Sequence, residues 1–380
     1  MKLLLAKSCC AILFATLITG CSNKNKSEEI EEVVEKTQDI IVGTYTGESS
    51  EGIYKLEFNA ETGALATPQL IAKASNPSYI AISKDRSKIY AVAEDGEGKA
   101  MVFKWNADQT SLELINEAPT NGMHPCHISL NESNDLVVVA NYSSGNAAIY
   151  AIDENGALSE SPEMRQHEGK GPNTARQEGP HAHFATFYKD EFIYVVDLGI
   201  DEIALYKIGE NRKAVGEKQT ALKLEGGAGP RHIEFHPNKP LVYIVNELTG
   251  AVTTAKVDLN TGLMTAINTI STLPEGFEGE NSSADIHMTK DGSFLYITNR
   301  GPNNIAIFKV DTDGMPTLMG HESVRGNWPR NFTLSPDEKF LLVANQLSNN
   351  IVVFNRDAST GVLTFSGHEL EMSMPVCLKF

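Results

Sequence analysis

The densest group of chemically versatile side chains in this 380-residue sequence lies in the stretch RQEGPHAHF, residues 176–184. It holds Arg176, Gln177, Glu178, His181 and His183. Histidine and carboxylate side chains exchange protons near neutral pH, and arginine binds carboxylate or phosphate groups through paired hydrogen bonds. The stretch therefore indicates either an acid–base and anion-binding site or a polar loop that leads into a strand.

This stretch must be positioned by structural elements, and those elements form a repeat along the chain. Six segments share one layout: an anchor residue, a short apolar stretch, a polar turn and a β-branched run that ends in a polar residue. After each such pair of strands come a third strand and a weaker fourth. The anchors of these segments and of the final strand, 46 to 55 residues apart, are Pro77, Pro125, Pro180, Pro230, Ser283, Pro329 and Pro375. Four short strands per unit at this spacing are typical of a β-propeller blade, so the sequence predicts an all-β fold.

The two ends of the repeat region complement each other. The chain finishes with MPVCLKF at residues 374–380, which is the first strand of a unit, whereas the fold begins near Asp39 with a unit that lacks its first strand. Together the two pieces make a seventh complete blade, and their pairing leaves no open sheet edge. We therefore predict a seven-bladed β-propeller over residues 39–380, with a solenoid or a β-sandwich as the alternative.

A propeller gathers polar residues from separate blades at one mouth of its central channel. The first strand of each blade lines the channel, and the second strand runs back to the same mouth. The second residues after the anchors are Tyr79, His127, His232, Asp285, Asn331 and Cys377, with His183 at the equivalent place of the third unit. Arg231 and Arg330 precede two of them, and the second strands end at Glu94, Asn141, Asp197, Glu247, Arg300 and Gln346. This mixture favours an anion-binding funnel, although polar rings also satisfy strand ends and trapped water.

At this point the sequence resembles the seven-bladed propeller lactonases, which include bacterial 6-phosphogluconolactonase and the fungal carboxymuconate lactonizing enzyme. The resemblance spans residues 39–380, and GKGPNTARQEGPHAHF at 169–184 is its most specific part. Supporting pieces are VGTYT, NPSYIA, HPCHIS, GPRHIEFHP, VNEL and TNRG. The resemblance implies that His183, Arg231, Glu247 and Arg300 match the active-site residues of the family.

Lactone hydrolysis needs a base for water, a clamp for the anionic group and donors for the developing oxyanion. We expect His183 to act as the base with Glu247 orienting it, while Arg231 and Arg300 bind the anion and the oxyanion. Further substrate contacts are predicted for Arg176, Gln177, His181, His127 and Arg330. Two alternatives stay open: Arg231 and Glu247 could form a structural ion pair, and strand alternation would turn His232 to the opposite face.

The first residues of the sequence have the layout of an export signal. Lys2 and Lys7 precede an apolar stretch at residues 8–18, which is too short for a membrane span. LITGC at 17–21 is similar to a bacterial lipobox. This similarity implies a signal peptide at 1–20, lipid attachment at Cys21 and a polar tether through residue 38. We expect a protein of the cell envelope that contacts the membrane through this anchor alone. The alternative is a misread signal in which Cys21 has no role.

Composition and missing motifs narrow the function further. The formal charge of −17 argues against nucleic acid as a partner. The sequence has no Gly-x-Ser-x-Gly elbow and no zinc-ligand spacing, so we expect no cofactor and no metal, although Glu94, Asn141 and Asp197 could supply oxygen ligands to a divalent ion. We expect a monomer, because a propeller closes on itself.

The leading hypothesis is a lactonase that acts on a small anionic sugar lactone. A muconate-type lactonizing cycloisomerase is the alternative within the same fold. A non-catalytic envelope propeller that binds anionic glycans or proteins is the alternative from another class. An anchored envelope protein would not meet a phosphorylated cytosolic lactone, which favours free aldonolactones or uronic-acid lactones.

Overall fold

The computed structural model describes residues 37–209 and 215–380, and this part of the chain consists of strands, turns and loops. The predicted signal peptide, Cys21 and nearly all of the predicted tether lie outside the described residues. None of the described residues belongs to a helix long and apolar enough to cross a membrane.

Within the described ranges, twenty-eight strands form seven four-stranded antiparallel sheets, each of which is one blade. In chain order the strands are β1 (Thr37–Thr44), β2 (Gly52–Asn59), β3 (Gln69–Lys73), β4 (Ile80–Ile82), β5 (Lys88–Ala93), β6 (Lys99–Trp105), β7 (Leu112–Pro119), β8 (Pro125–Leu130), β9 (Leu136–Asn141), β10 (Asn146–Ala151), β11 (Glu163–Gln166), β12 (Ala182–Tyr188), β13 (Phe192–Asp197), β14 (Glu202–Lys207), β15 (Gln219–Lys223), β16 (Pro230–Phe235), β17 (Leu241–Asn246), β18 (Ala251–Val257), β19 (Met264–Ser271), β20 (Ser282–Met288), β21 (Phe294–Arg300), β22 (Asn304–Val310), β23 (Pro316–Ser323), β24 (Pro329–Leu334), β25 (Phe340–Asn345), β26 (Asn350–Arg356), β27 (Leu363–Glu371) and β28 (Pro375–Lys379).

Blades 1 to 6 each use four consecutive strands, from β4–β7 to β24–β27. Blade 7 has the order β28-β1-β2-β3, so the last strand of the chain completes the first sheet. Ile41 pairs with Lys379 and Val42 with Leu378 across this closure. The prediction of a seven-bladed propeller closed by the C-terminal strand is confirmed.

The hydrophobic core lies between the blades. Four second strands, β9, β13, β17 and β25, are buried along their whole length, because both faces of their sheets pack against neighbouring sheets. These strands are rich in Val, Ile, Leu and Tyr and show no polar alternation. The outer strands β7, β19 and β27 are mostly exposed or half-buried. Burial therefore follows the position of a strand within its blade.

A recurring tyrosine links adjacent blades. Tyr194 of blade 3 donates its hydroxyl proton to the carbonyl of Gly262 in blade 4, at 2.8 Å. The same contact, from the third residue of the second strand to a turn glycine of the next blade, recurs for Tyr90 with Gly156, Tyr243 with Gly314 and Tyr296 with Gly361. All four tyrosines are buried, so each hydroxyl satisfies a carbonyl that water does not reach easily.

Replacing Tyr194 by Phe should reduce the free energy of unfolding by about 1 kcal/mol, because it leaves the Gly262 carbonyl without its partner. The urea midpoint of Tyr194→Phe measures this loss. Tyr188→Phe is the matched control, since the Tyr188 hydroxyl has no hydrogen bond to another described residue. Equal midpoints for the two variants would show that the hydroxyl does not contribute to the blade contact.

Candidate active site

A β-bulge at the start of four inner strands turns side chains into one mouth of the channel. Between the paired residues Ala182 and Phe184 of β12, His183 is the extra residue. The equivalent extra residues of β8, β16 and β24 are Cys126, Arg231 and Arg330. A bulge lets two successive residues face the same side of a strand. His183 therefore aligns with Arg231 and Arg330 along the channel. The sequence alignment had instead placed His183 beside His127 and His232, one residue further along their strands.

A cavity of about 210 Å³ lies at this mouth, and we call it the upper cavity. Its lining residues come from inner strands, from the ends of second strands and from the loop before β12. They are Tyr45, Glu94, Cys126, Tyr142, Arg176, His183, Glu247, Arg300 and Arg330. The RQEGPHAHF stretch thus contributes two residues, Arg176 and His183, to a site built from several blades.

The Glu247 carboxylate is the centre of a cluster of three arginines. Arg176 donates to Oε1 at 2.6 Å, and Arg300 donates to Oε2 at 2.7 Å. The Arg231 Nε lies 3.1 Å from Oε2. Burial alone would raise the pKa of Glu247, but the three guanidinium groups outweigh burial and hold it well below its usual range. Glu247 is therefore ionised, and both of its oxygens are occupied. Its partners are arginines, and among the described residues no hydrogen bond joins Glu247 to His183.

Arg231 lies beneath the upper cavity and not in its lining. Its side chain is 2% exposed, and Nη1 donates to the Ala284 carbonyl at 2.5 Å and to His232 Nε2 at 3.1 Å. Because a guanidinium has no acceptor, His232 must accept at Nε2 and donate from Nδ1 to Asp285, at 2.8 Å. Burial and Arg231 lower the pKa of His232 to about 3, so this imidazole is uncharged. The bulge brings His232 to the channel, which corrects the expectation that it faces away.

Asp285 links this network to the other end of the channel. Its Oδ2 accepts hydrogen bonds from Asn331 at 2.5 Å, from the Phe332 amide at 3.2 Å and from His287 at 3.2 Å. Burial opposes the charge of His287, but Asp285 and Glu234 outweigh it and raise the pKa of this imidazole to about 10. His287 faces a second cavity of about 400 Å³, the lower cavity, which is formed by later residues of the inner strands.

His127 belongs to the lower cavity and not to the upper one. Its ring lies between those of Tyr79 and Phe184, with centroid distances of 4.1 and 4.0 Å. The structure therefore does not bring His127 to the upper cavity with His183 and Arg330, and its substrate contact stays a prediction. The bulge explains the separation, because Cys126 and His127 both face the channel but at successive levels.

His183 is an uncharged member of the upper cavity. Burial is the main reason that its pKa lies well below the usual histidine value, and the nearby arginines, Arg231 first, add to this effect. Its Nδ1 lies 3.7 Å from the Cys126 sulfur. Its Nε2 has no hydrogen bond to another described residue, and it is free to bind a substrate or a water molecule.

Gln177 and His181 support the cavity from outside. The Gln177 amide is fully buried, donates to Leu198 and Asp201 at 2.8 and 2.7 Å, and accepts from the Asn173 amide. The His181 ring stacks on the cavity residue Tyr142 at 4.6 Å. Neither residue lines the upper cavity, so the structure does not bring these two predicted substrate contacts to the site.

Arg330 is the arginine of the upper cavity whose guanidinium is least engaged. It lies over the Tyr45 ring, with 5.3 Å between the guanidinium carbon and the ring centroid, and 3.8 Å from Glu94 Oε1. It donates no hydrogen bond to another described residue. Burial opposes its charge, but Tyr45 and Glu94 outweigh burial and raise its pKa. A charged guanidinium with unused donors is suited to bind an anionic group.

Residues 37–209 and 215–380 contain no group of three His, Cys, Asp or Glu side chains placed to hold a metal ion. Two of the three residues that the sequence offered as oxygen ligands, Asn141 and Asp197, are engaged in hydrogen bonds elsewhere. Asn141 donates to Thr120 and Asn146, and Asp197 binds His167 and two backbone amides. Of the three, Glu94 alone reaches the upper cavity.

Comparison with known proteins assigns the chain to a family. The model of the family described as lactonase, 7-bladed β-propeller, matches residues 39–380. The chain belongs to this lactonase family. It is 37% identical over 342 residues to a 6-phosphogluconolactonase of Bacillus subtilis, covering 89% of this chain and 97% of that protein. It is 34% identical to a 6-phosphogluconolactonase of Formosa agariphila, covering 87% and 96%.

Solved structures agree with the family. A periplasmic gluconolactonase of Pseudomonas aeruginosa has a TM-score of 0.85 and 29% identity, covering 90% of this lactonase and 99% of that chain. A protein of Lactobacillus plantarum has a TM-score of 0.84 and 32% identity, covering 90% and 99%. The resemblance expected from the sequence motifs is confirmed at the level of fold and family.

The sequence motifs assigned no role to three residues of the lactonase cavity: Tyr45, Cys126 and Tyr142. Glu94 was considered as the polar end of a second strand and as an oxygen ligand to a divalent ion, and Tyr45 was visible only as part of the VGTYT motif. Tyr142 follows Asn141 directly, so its position after a second strand is the signal that could have identified it. Cys126 could have been found from its alignment with Arg231 and Arg330.

The depressed pKa of Glu247 predicts how the stability of this lactonase depends on pH. The ionised carboxylate stabilises the fold above its ordinary pKa of 4.5, and the contribution is lost as the pH falls below that value. We expect Glu247→Gln to unfold about 3–5 kcal/mol more easily at neutral pH, because Arg176 and the buried Arg231 and Arg300 lose their counter-charge. We also expect the variant to lose less stability than the wild type on acidification.

Urea unfolding of both proteins across the acidic range measures this difference. Glu113→Gln is the control, because Glu113 pairs with Lys104 on the surface, where both side chains are 56% exposed. That change should cost less than about 1 kcal/mol. Parallel pH dependence in wild type and Glu247→Gln would show that the arginine cluster does not hold Glu247 in its ionised form.

Proposed function

We propose that this protein hydrolyses a small sugar lactone that carries an anionic group. The observation that carries this proposal is Arg330, a charged arginine with unused donors that faces a small cavity. The activity is that of a lactone hydrolase of the 6-phosphogluconolactonase type. Two relatives named 6-phosphogluconolactonase, at 37% and 34% identity over most of the chain, support this activity.

The charge balance of the site favours an anion. Arg176, Arg231, Arg300 and Arg330 bring four positive charges, and Glu94 and Glu247 bring two negative ones. The difference is two positive charges in a buried environment, where electrostatic interactions are stronger than in water. A carboxylate or phosphate group on the substrate compensates this excess, with Arg330 as its first partner.

The size of the cavity favours a single sugar ring. Sites for drug-sized ligands commonly enclose about 300–1,000 Å³. The upper cavity, at about 210 Å³, is smaller. A monosaccharide lactone fits a cavity of this volume better than an oligosaccharide or a protein segment does. The site therefore favours catalysis on a small molecule over the glycan-binding alternative.

Fixed donors at the cavity wall suit the oxyanion that forms when water attacks a lactone carbonyl. Arg176 and Arg300 each hold Glu247 through one terminal nitrogen, which fixes their guanidinium planes at the wall. Preoriented donors stabilise a developing negative charge without reorganisation during the reaction. In this proposal Arg300 and Arg176 bind the oxyanion, Arg231 supports Glu247 from below, and uncharged His183 accepts a hydrogen bond from the attacking water.

The cell envelope is the proposed location of the protein. The lipobox-like LITGC at residues 17–21 supports export and lipid attachment at Cys21. The similarity to a periplasmic gluconolactonase of Pseudomonas aeruginosa supports the same compartment. In this compartment the anionic lactone carries a carboxylate, or a phosphate if phosphorylated sugars reach the site.

Arg330→Gln should discriminate between charged and uncharged lactones. We expect KM for 6-phosphogluconolactone to rise about 10- to 100-fold, the loss expected for a hydrogen bond to a charged group. Turnover of uncharged gluconolactone should change little. Proton release measures both reactions, with Arg325→Gln, at an exposed residue in the loop before β24, as the control. Equal losses on both lactones would remove Arg330 as the anion clamp, and no hydrolysis of any lactone by the wild type would overturn the proposed function.

Cys21→Ser tests the proposed anchor. We expect the wild-type protein in the membrane fraction of its cells and the variant in the soluble fraction, because the thiol that carries the lipid is missing. Cys10→Ser, in the same N-terminal segment, should leave the protein with the membrane. An unchanged distribution of Cys21→Ser would show that this cysteine does not anchor the protein.

A further inference from the structure

The upper cavity contains two glutamates with opposite environments. Glu247 is bound by three arginines, and its oxygens accept from Arg176 and Arg300. Glu94 is held mainly by uncharged donors: Tyr45 and Ser78 both donate to its Oε2, the former at 2.8 Å. Two carboxylates in different surroundings of one site commonly have different roles in the reaction. This contrast is not explained by the anion-binding role of the arginines.

The second oxygen of Glu94 is available to a ligand. Its Oε1 accepts no hydrogen bond from another described residue, and the nearest cation, Arg330, is 3.8 Å away. Glu94 lines the upper cavity, with 12% of its side chain exposed. The contacts at Oε2 fix the carboxylate and leave Oε1 towards the substrate space. A fixed carboxylate with one unused oxygen has the geometry required of a proton acceptor.

The other candidates for proton transfer are less suitable. Glu247 is saturated and strongly stabilised as an anion, so it has little affinity for a proton. His183 has lost basicity through burial and the surrounding arginines. Burial, and after it Glu94, raises the pKa of the Cys126 thiol, which excludes a thiolate nucleophile at neutral pH. Among the described residues that line the cavity, Glu94 is the carboxylate left for this step.

We propose that Glu94 is the general base that activates water for lactone hydrolysis, a role that rests on the proposed function. Oε1 removes a proton from water while the water oxygen forms a bond to the lactone carbonyl carbon, and the carbonyl π electrons move to oxygen. When this oxyanion collapses, the carbonyl reforms, the bond to the ring oxygen breaks, and the proton on Glu94 passes to that oxygen. Lactone and water become a hydroxy acid, and Glu94 returns to its ionised form.

This inference assigns to Glu94 the proton transfer that the sequence assigned to His183. Tyr45 and Ser78 become positioning residues, because they hold Oε2 and do not reach the reacting atoms through a free donor. Arg330 lies 3.8 Å from Glu94 Oε1 and, in this proposal, binds the anionic group of the substrate beside the base.

The test is hydrolysis of 6-phosphogluconolactone and gluconolactone by the full chain and by Glu94→Gln. Glutamine keeps the shape of the side chain and removes the base. We expect kcat to fall about 10²- to 10⁴-fold on the lactone that the wild type hydrolyses, with KM changed less than about three-fold. Glu113→Gln, on the exposed strand β7, controls for the loss of one carboxylate and should behave as the wild type.

Two further measurements separate a lost base from a damaged fold. Calorimetric binding of 6-phosphogluconate to Glu94→Gln should remain within about three-fold of the wild type, since Arg330 and the Glu247 cluster stay in place. Added formate should restore part of the activity of Glu94→Ala, because a small carboxylate can replace the missing base.

The outcomes distinguish this inference from the function on which it rests. An active wild type together with an equally active Glu94→Gln would overturn the role of Glu94 and leave the lactonase function in place. The same holds if the variant loses only substrate affinity. A wild type that hydrolyses no lactone would overturn the proposed function itself.

Discussion

Closure of the ring is the constraint on which the rest of the structure depends. β28 pairs with β1, so the two ends of the described propeller share one sheet. Each blade buries its second strand between neighbouring sheets, and tyrosine hydroxyls such as that of Tyr194 reach into the next blade. Seven inner strands therefore start around one mouth, and side chains far apart in sequence meet there. A site that draws Glu94 from blade 1 and Arg330 from blade 6 exists only in the closed ring.

A second constraint is the cost of burying charge. The upper cavity and its floor contain four arginines, and each buried charge must be compensated. Glu247 compensates three of them and, through Arg231, connects to His232 and Asp285 below. Arg330 receives less compensation from Glu94, which uses its other oxygen for Tyr45 and Ser78. The remaining positive charge and the free Glu94 oxygen are directed to the same small space. Anion binding and water activation can therefore occur together.

Much of this arrangement was predictable because equivalent residues recur at the same position of each repeat. The anchors and the complementary chain ends predicted seven blades. The family motifs selected Arg176, His183, Glu247 and Arg300, and the alignment of the anchors selected Arg330; all five line the cavity. His127 lies outside the upper cavity because simple strand alternation does not allow for a bulge, which places Cys126 and His127 at successive positions along the channel. Gln177 also lies outside it, because its amide, which looked available in a loop, is hydrogen-bonded to Asp201, Leu198 and Asn173.

The sequence by itself determined the class of fold, the number of blades and the residue types at the mouth, because hydrophobic periodicity and turn residues act over short distances along the chain. Only the tertiary structure decided which carboxylate is saturated and which is free. That distinction depends on contacts between blades, such as Arg176 with Glu247 and Tyr45 with Glu94, whose partners are separated by 71 and 49 residues. Local patterns have no information about such pairings, since ring closure and the bulges set the distances.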